Sequence, residues 1–335
     1  PYLKFAGWDA LAIVGKAAED VIIYIDGDTG RVTIEAAPLE ALDTHLLSRQ
    51  LTEMYARDSR DMRSISVASA GAAADHIPMC GINLSFYDSR RDEVRYKQAA
   101  RGGCGSVLRN KKVKAIVVRY GKLSGDSNGP ADPSLLRKAG QRINKEITDF
   151  DLVQNDMRNT GTPYLVEIMN RFDLLPVENF RFGAHPDSIK MNGEKWKALF
   201  DHSGPDSCWY GCTMACSHTV AHFHLRTGPY QGQLVYVDGP EYETLGAMGS
   251  NCGIFEPLDL LELNFYADTY GIDSISVGNS TAFAMECYEY GILTPEHTGG
   301  MELTWGNAPV AIELLHQMAR GEGFGVIVGQ GVRGM

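Results

Sequence analysis

The sequence predicts an α+β fold, in which a β-rich first region, residues 1–128, is followed by a mainly helical region, residues 129–335. Two observations support this prediction. Alternating β-branched residues recur in the first region, and apolar residues at helical spacing dominate the later part of the chain. A chain of 335 residues also exceeds the usual size of one domain, so we expect two domains.

The first region carries strand patterns with one long helix among them. Residues 9–36 are predicted to be largely β, because the short apolar run LAIVG precedes two alternating segments that the turn sequence DGDTG joins at 26–30. Leucines at helical spacing predict a helix over 38–57. Two further strands are predicted at 64–71 and 113–119.

The segment YGKLSGDSNGPADPS, residues 120–134, separates the two regions, because Gly, Ser, Pro and Asp concentrated in one stretch favour a loop. Helices of the second region are predicted at 135–149, 257–270, 281–290 and 308–320. The third of these helices has an expected N-cap at Asn279, Ser280 or Thr281 and an expected end at Gly291.

The composition is that of an ordinary globular protein, with 44% hydrophobic and 22% charged residues. A net charge of −11 disfavours duplex nucleic acid or an anionic membrane as the main partner. No apolar run approaches the roughly 18 residues of a membrane span. Seven cysteines, an odd number with one cluster, argue against a disulfide framework and indicate a reducing, cytoplasmic compartment and a metal site.

The sequence CWYGCTMAC places Cys208, Cys212 and Cys216 four residues apart. On one helix these residues would share a face, so that their thiolates could hold zinc or an iron–sulfur cluster. Zinc gains candidate ligands from three nearby histidines: His218, His222 and His224. The alternative is a helix with buried free cysteines, since cysteine is a common core residue.

The sequence GPEYETLGAMGSNCGI, residues 239–254, contains two carboxylates at alternate positions, Glu241 and Glu243. On an extended segment both would point to one side, and in a dry pocket one of them could act as general acid or base. A solvated acidic turn is the alternative interpretation.

A second pair of carboxylates flanks the predicted end of a helix in ADTYGIDSISVG. The helix is expected to end at Tyr270, with Gly271 as a left-handed C-cap and with Asp268 and Asp273 on the two sides of the turn. Paired carboxylates can accept fork-like hydrogen bonds from a guanidine-like group. Ordinary capping carboxylates would produce the same pattern.

Glycines follow an arginine shortly before the strand at 113–119, in the sequence AARGGCGSVLRN. Arg101, Gly102 and Gly103 precede a predicted helical turn, where close backbone approach and free N–H groups can receive a phosphate-bearing ligand. The spacing matches neither a Walker motif nor a Rossmann fingerprint. A tight turn without a ligand is the alternative.

Together these motifs resemble the tungsten-containing aldehyde:ferredoxin oxidoreductase family. Four stretches are similar to family motifs and occur in the same order: LKFAGWDALAIVGKA (3–17), ARGGCGSVLRNKKVKAIVV (100–118), GPEYETLGAMGSNCGI (239–254) and YGIDSISVGNSTAFAMECYEYGIL (270–293). The similarity spans most of the 335 residues. It implies a fragment that lacks the family's N-terminal start and its third domain.

The resemblance also implies a cofactor set. Two pyranopterins would hold tungsten against the first region, with a [4Fe-4S] cluster nearby and Mg²⁺ bridging the pterin phosphates. Arg101, Gly102 and Gly103 match the family loop that lies against the pterin.

The same resemblance assigns roles to the carboxylate motifs. Asp268, Gly271 and Asp273 match a motif that contacts a pterin ring. The glutamate that approaches the metal is matched best by Glu243 and second by Glu241.

Cys208, Cys212 and Cys216 match the family's cluster ligands, with one departure. The family spacing is C-x2-C-x3-C, and one extra residue would turn Cys208 by roughly 100° on a helix. The family's fourth cysteine and active-site histidine belong to its third domain, and Cys252 is not assigned in their place.

The function implied is the reversible oxidation of a small aldehyde to a carboxylic acid, with electrons leaving through the cluster to ferredoxin or an iron–sulfur partner subunit. We also expect the chain to form a homo-oligomer. Two alternatives remain: a related tungsten reductase such as a benzoyl-CoA reductase active subunit, and an iron–sulfur electron-transfer subunit without substrate turnover.

Overall fold

The first region of the computed structural model is a mixed β-sheet with helices packed on it. The structure describes residues 1–121, 129–149, 152–202, 206–208 and 212–335. The described strands of this sheet are β1 (Val21–Asp26), β2 (Arg31–Ala36), β3 (Ile65–Ser69), β4 (Ile82–Asp88), β5 (Glu93–Ala99) and β6 (Val113–Arg119). Their order is β2-β1-β6-β3-β4-β5, with β1 and β6 parallel and the other neighbours antiparallel.

Apolar side chains are buried on both faces of this sheet. The described helices of the region are α1 (Tyr2–Phe5), α2 (Thr44–Tyr55) and α3 (Cys104–Asn110). Leu47 of α2 packs in one cluster with Ile22 of β1, whereas Leu108 of α3 packs in another cluster with Ile23. Because successive residues of a strand face opposite ways, a strand covered on both faces is apolar at consecutive positions.

The second region is mainly helical, and it adds one β-hairpin that the sequence patterns did not predict. Its strands are β7 (Thr219–His224) and β8 (Leu234–Asp238), which pair antiparallel. Its described helices are α4 (Pro133–Asp149), α5 (Leu152–Thr160), α6 (Leu165–Arg171), α7 (Gly193–Leu199), α8 (Tyr242–Thr244), α9 (Pro257–Tyr270), α10 (Ser274–Glu289), α11 (Pro295–Thr298), α12 (Ala308–Arg320) and α13 (Gly323–Val328).

The segment after α8 is an unusual buried helical stretch. It continues as a π-helical turn over Leu245–Gly249 and a 3-10 turn over Ser250–Cys252. It packs against α10, where a Cβ on Gly278 would lie only 2.5 Å from the carbonyl carbon of Ala247. Departures from regular helical spacing of this kind are common at functional sites.

The two regions share one hydrophobic core. Its main cluster contains Ala70, Ala73 and Cys80 from the first region together with Leu260 of α9 and Leu314 of α12. Among the helices in the described part of the chain, none is both long and apolar enough to cross a bilayer.

The predicted α+β class is confirmed, and several element bounds agree closely. The strand predicted at 113–119 is β6, and the helices predicted at 257–270 and 308–320 are α9 and α12. The predicted hairpin is β1–β2, and α2 lies within the helix predicted at 38–57. Residues 122–128 of the predicted boundary lie outside the described residues.

Two local predictions are wrong. Residues 9–20 belong to no strand, because their backbone is held by isolated hydrogen bonds, such as Ala17 N–H to the Lys111 carbonyl, rather than by a ladder. Helix α10 begins at Ser274 rather than near residue 281, because Asp273 is its N-cap and accepts a hydrogen bond from the Ile275 N–H at 3.0 Å.

Candidate functional site

The loop at residues 101–105, called the Gly-Arg loop below, and the bend between α9 and α10 lie on either side of one short segment, residues 79–81. On one side, the Gly105 N–H donates to the Cys80 carbonyl at 2.9 Å. On the other, the Gly81 N–H donates to the Gly271 carbonyl at 2.9 Å, and the Asp273 N–H donates to the Met79 carbonyl at 3.0 Å. The structure therefore brings together two motifs that lie about 170 residues apart in the sequence.

Within the Gly-Arg loop, Arg101 and Gly102 are open to solvent, whereas Gly103 is packed against the chain. Gly102 is exposed with φ +91°, and a Cβ there would meet only the Cys104 sulfur, at 3.8 Å. Arg101 beside it is exposed as well. A Cβ on Gly103, in contrast, would lie 2.7 Å from the Pro78 carbonyl oxygen. A ligand can therefore approach the backbone closely at Gly102.

Asp268 occupies an enclosed position at the end of α9. The side-chain amide of Asn264 donates to Asp268 Oδ2 at 3.1 Å and also to the Asp238 carbonyl at 2.7 Å. Burial, reinforced by the negative charge of Asp238, raises the pKa of Asp268 well above its usual value.

Asp273 is engaged differently from Asp268. It is buried, its Oδ1 accepts the Ile275 N–H, and its Oδ2 accepts the Ser276 hydroxyl at 2.5 Å. Both carboxylate oxygens thus have partners inside the protein. Gly271 has φ +74° and is the left-handed C-cap of α9, as the sequence predicts. The pterin-contacting role of Asp273 stays a prediction, and Asp268 has more acceptor capacity for it.

Glu241 and Glu243 lie in different environments. Glu241 accepts a hydrogen bond from the Thr162 hydroxyl, which in turn accepts from the Tyr242 N–H at 2.9 Å. Burial raises the pKa of Glu241 above its usual value, and the charge of Asp238 adds to this rise. Glu243 is exposed. The enclosed acid is therefore Glu241, although the family resemblance favours Glu243 as the glutamate that approaches the metal.

The three clustered cysteines lie outside any helix at the positions that the structure describes. Cys208 is in a bend, Cys212 in irregular chain, and Cys216 in an isolated bridge with Asp206. The proposed single helix face is therefore wrong for these residues. Burial raises the pKa of Cys216, and charges at Glu241, Cys208 and Cys212 raise it further.

The described residues around these cysteines do not assemble a metal-ligating cluster. Within the described residues, no group of three or more His, Cys, Asp or Glu side chains is arranged to hold a metal ion. Zinc ligation by the nearby histidines therefore gains no support. The cysteines are nevertheless free thiols on one short segment, which is the donor chemistry that an iron–sulfur cluster requires. Their ligand roles stay predictions.

Charged residues of β5 form a buried network that sequence reasoning missed. Arg95, only 1% exposed, donates to Asp206 Oδ2 at 2.9 Å and to the Thr219 hydroxyl. Arg91, just before the strand, donates to Asp88 at 2.6 Å and to Asp201 at 2.7 Å. This network ties the sheet to the stretch that carries the three cysteines, described at residues 206–208 and 212–217 and called the cysteine segment below.

Burial alone would raise the pKa of Asp206, but the cations of Arg95 and Lys97 hold it below its usual value. Lys97, two residues after Arg95, is also buried, and its ammonium donates to the Ser217 hydroxyl at 2.6 Å and to Asp238. The alternation Glu93, Arg95, Lys97 was the available indication of a shared face. It would ordinarily indicate a solvated face.

Two family models match the chain, one to each region. The model described as aldehyde ferredoxin oxidoreductase, N-terminal domain, matches residues 1–120. The model described as aldehyde ferredoxin oxidoreductase, domains 2 and 3, matches residues 138–335, more than half of the chain. The chain belongs to the aldehyde ferredoxin oxidoreductase family.

The chain is similar to several named proteins of Pyrococcus and Thermococcus species. The tungsten-containing aldehyde ferredoxin oxidoreductase of Pyrococcus horikoshii is 30% identical over 332 residues, covering 98% of this chain and 50% of that protein. That of Thermococcus kodakarensis is 31% identical over 320 residues, covering 95% and 48%. An aliphatic sulfonate oxidoreductase WOR-like subunit of Pyrococcus furiosus is 28% identical, covering 98% and 50%. The chain thus spans about half the length of the curated relatives it matches.

A solved structure shares the fold. It is the active-site complex BamBC of benzoyl coenzyme A reductase with 1,5-dienoyl-CoA, which superposes with a TM-score of 0.72 at 22% sequence identity. The match covers 100% of this chain and 48% of the other. At this identity the likeness supports the α+β architecture and nothing about substrate.

The raised pKa of Asp268 predicts how its replacement changes stability. A carboxyl whose folded pKa lies above the unfolded value favours folding fully only below the unfolded pKa, and this contribution is lost as the pH rises through the folded pKa. Asp268→Asn removes the ionisation, so we expect the variant to melt at a higher temperature than the parent at pH 8. The gain should shrink towards pH 4. Thermal melts at both pH values test this, and a constant difference would contradict it.

Proposed function

We propose that this chain is the cofactor-binding part of a tungsten-pterin oxidoreductase that oxidises aldehydes reversibly to carboxylic acids. Electrons would leave one at a time through a [4Fe-4S] cluster to a ferredoxin or an iron–sulfur partner subunit. The observation that carries the proposal is the meeting of the Gly-Arg loop with the Asp268–Asp273 bend at residues 79–81, in a chain of this family.

Features of this chain suit the cofactors that the family implies. The open backbone at Gly102, beside the exposed Arg101, leaves room for a pterin and its phosphates. Mg²⁺ bridging those phosphates is part of the proposal. Asp268 would hydrogen-bond the amino-pyrimidinone edge of a pterin, and Cys208, Cys212 and Cys216 would supply thiolates to the cluster. When bound, the tungsten-pterin group supplies the two-electron redox chemistry that side chains cannot perform.

Two glutamates of the chain would transfer the protons that the reaction releases. Conversion of an aldehyde and one water molecule to a carboxylic acid releases two protons and two electrons, so a proton acceptor is needed close to the substrate. Glu241 is suited to hold a proton, because burial raises its pKa and the Thr162 hydroxyl fixes its carboxylate. Glu243, two residues on and exposed, would exchange that proton with solvent.

The direct test uses the full-length protein, purified from cells that were grown with tungstate. We expect tungsten in the protein and reduction of a viologen dye that depends on added aldehyde. Glu241→Gln should lower turnover by roughly 10²-fold or more, the usual range for loss of a general acid or base. Glu243→Gln, as the matched comparison, should have a smaller effect.

The two alternative functions are outcomes of the same experiment. Oxidation of a reduced dye that depends on an aromatic acyl-CoA, without any aldehyde activity, would point to a reductase. Iron and acid-labile sulfide without tungsten would point to an electron-transfer subunit. An active protein free of tungsten and molybdenum would overturn the proposal outright.

A further inference from the structure

Lys97 is a buried ammonium at the point where the motifs of the proposed site come together. It lies near the end of β5 in the first region and is only 8% exposed. Its Nζ donates to Ser217 Oγ at 2.6 Å and to a carboxylate oxygen of Asp238. Both partners belong to the second region, so one side chain bridges the two.

Each partner of Lys97 is adjacent to a motif of the site. Ser217 directly follows Cys216 in the sequence. Asp238 ends β8, immediately before the segment that carries Glu241, and its carbonyl receives the Asn264 amide that also donates to Asp268. Hydrogen bonds therefore link Ser217, beside Cys216, through Lys97 and Asp238 to the Asn264–Asp268 pair. Glu241 is connected to Asp238 along the chain, three residues further on.

Other charged groups face the same space. Arg95, two residues before Lys97 on β5, pairs with Asp206. The charge of Lys97 helps to lower the pKa of Asp206 and opposes the rise in the pKa of Glu241 and Asp268. A buried ammonium is tolerated only when carboxylates and hydroxyls satisfy it, which holds for Lys97 and its partners Asp238 and Ser217. A neutral side chain would leave Asp238 without its counter-ion.

We propose that Lys97 is a positioning residue that holds the cysteine segment against the two acidic motifs through Ser217 and Asp238. The inference rests on the proposed function for its consequence, since the segment would carry cluster ligands. The contacts of Lys97 with Ser217 and Asp238 are independent of any cofactor. An arginine retains the charge and the donors, whereas methionine retains the approximate length and loses both.

The primary test measures the alkylation rate of each cysteine by mass spectrometry in the metal-free protein, using iodoacetamide. We expect Lys97→Met to raise the rate at Cys216 by about tenfold or more, and Lys97→Arg to restore most of the protection. Loss of a nearby positive charge would on its own reduce thiolate reactivity, so an increase reports displacement of the segment. Cys104, which is exposed and lies outside the network, is the internal control.

A double variant distinguishes displacement of the cysteine segment from unfolding of the whole protein. Lys97→Met with Asp238→Asn removes both charges and so avoids an unpaired buried carboxylate, and we expect it to fold while Cys216 stays reactive. An unchanged rate at Cys216 in this folded double variant would overturn the inference. So would an increase of the same size at every cysteine.

A second readout addresses the cluster. After reconstitution with iron and sulfide, Lys97→Met should give a lower midpoint potential than the parent, because a positive charge near the cluster favours the reduced form. Lys97→Arg should stay near the parent value. Aldehyde-dependent dye reduction by the parent protein is measured separately. Its absence together with altered Cys216 reactivity would contradict the proposed function and leave the role of Lys97 standing.

Discussion

Replacing Gly71 with alanine is expected to destabilise the protein by at least about 4 kcal/mol, a loss reached by few single substitutions. A Cβ at this position would overlap the backbone carbonyl of Tyr270 and would lie 2.5 Å from the Gly271 nitrogen. Backbone atoms cannot rotate away as a side chain can, so the end of α9 would have to shift. The measurement is urea unfolding followed by circular dichroism.

The shift would also separate the motifs of the proposed site, because Gly271 is hydrogen-bonded to Gly81 beside the Gly-Arg loop. Gly140→Ala is the matched control. Gly140 lies within α4 with nothing near its would-be Cβ, so alanine should stabilise α4 by roughly 0.5–1 kcal/mol. If the two substitutions had equal effects, the close packing at Gly71 would not be important to the fold.

Replacing Arg95 with methionine is expected to cost about 3–5 kcal/mol, the range for breaking a buried ion pair from one side. Arg95 is 1% exposed, and its removal would leave Asp206 without its closest cation and the Thr219 hydroxyl without a donor. The cysteine segment would lose one of its attachments to the sheet, while the hydrogen bond between Lys97 and Ser217 would remain. Thermal and urea unfolding measure the loss.

Two variants define the cause of this loss. Arg95→Met with Asp206→Asn should recover part of the stability, because no unpaired charge then stays buried. Arg142→Met removes an exposed arginine that pairs with Glu146 at 3.4 Å on α4, and it should change stability by no more than about 0.5 kcal/mol. A cost for Arg95→Met as small as that for Arg142→Met would contradict the buried network.

Elements with a strong apolar period could be predicted closely from the sequence. The bounds of β6, α9 and α12 follow from runs of buried residues and from stop residues such as Gly271 and Gly321. The start of α10 could not, because residues 274–280 contain only two large apolar side chains, Ile275 and Val277, and so have weak helical periodicity. Their helix forms because Asp273 caps it and because Gly278 lets the chain at Ala247 approach.

The motifs of the candidate site were visible in the sequence, and their surroundings were not. The Gly-Arg loop, the two acidic motifs and the cysteine cluster each had recognisable spacing. Four-residue spacing would place the cysteines on one face only if the chain were helical, and Cys208, Cys212 and Cys216 lie outside any helix. The pairing of Thr162 with Glu241 joins residues 79 positions apart and had no local indication. Asn264 and Asp268, in contrast, lie one turn apart on a predicted helix.

What the sequence alone determined was the α+β class, the main strands and helices, and the membership of four motifs in one family. These depend on local periodicity and on short residue patterns. Only the tertiary structure decided that Arg95 and Lys97 are buried and that Glu241, rather than Glu243, is enclosed. The physical reason is that burial of a charged side chain depends on which distant segment packs over it, and alternation along one strand is the same for a solvated face and a covered one.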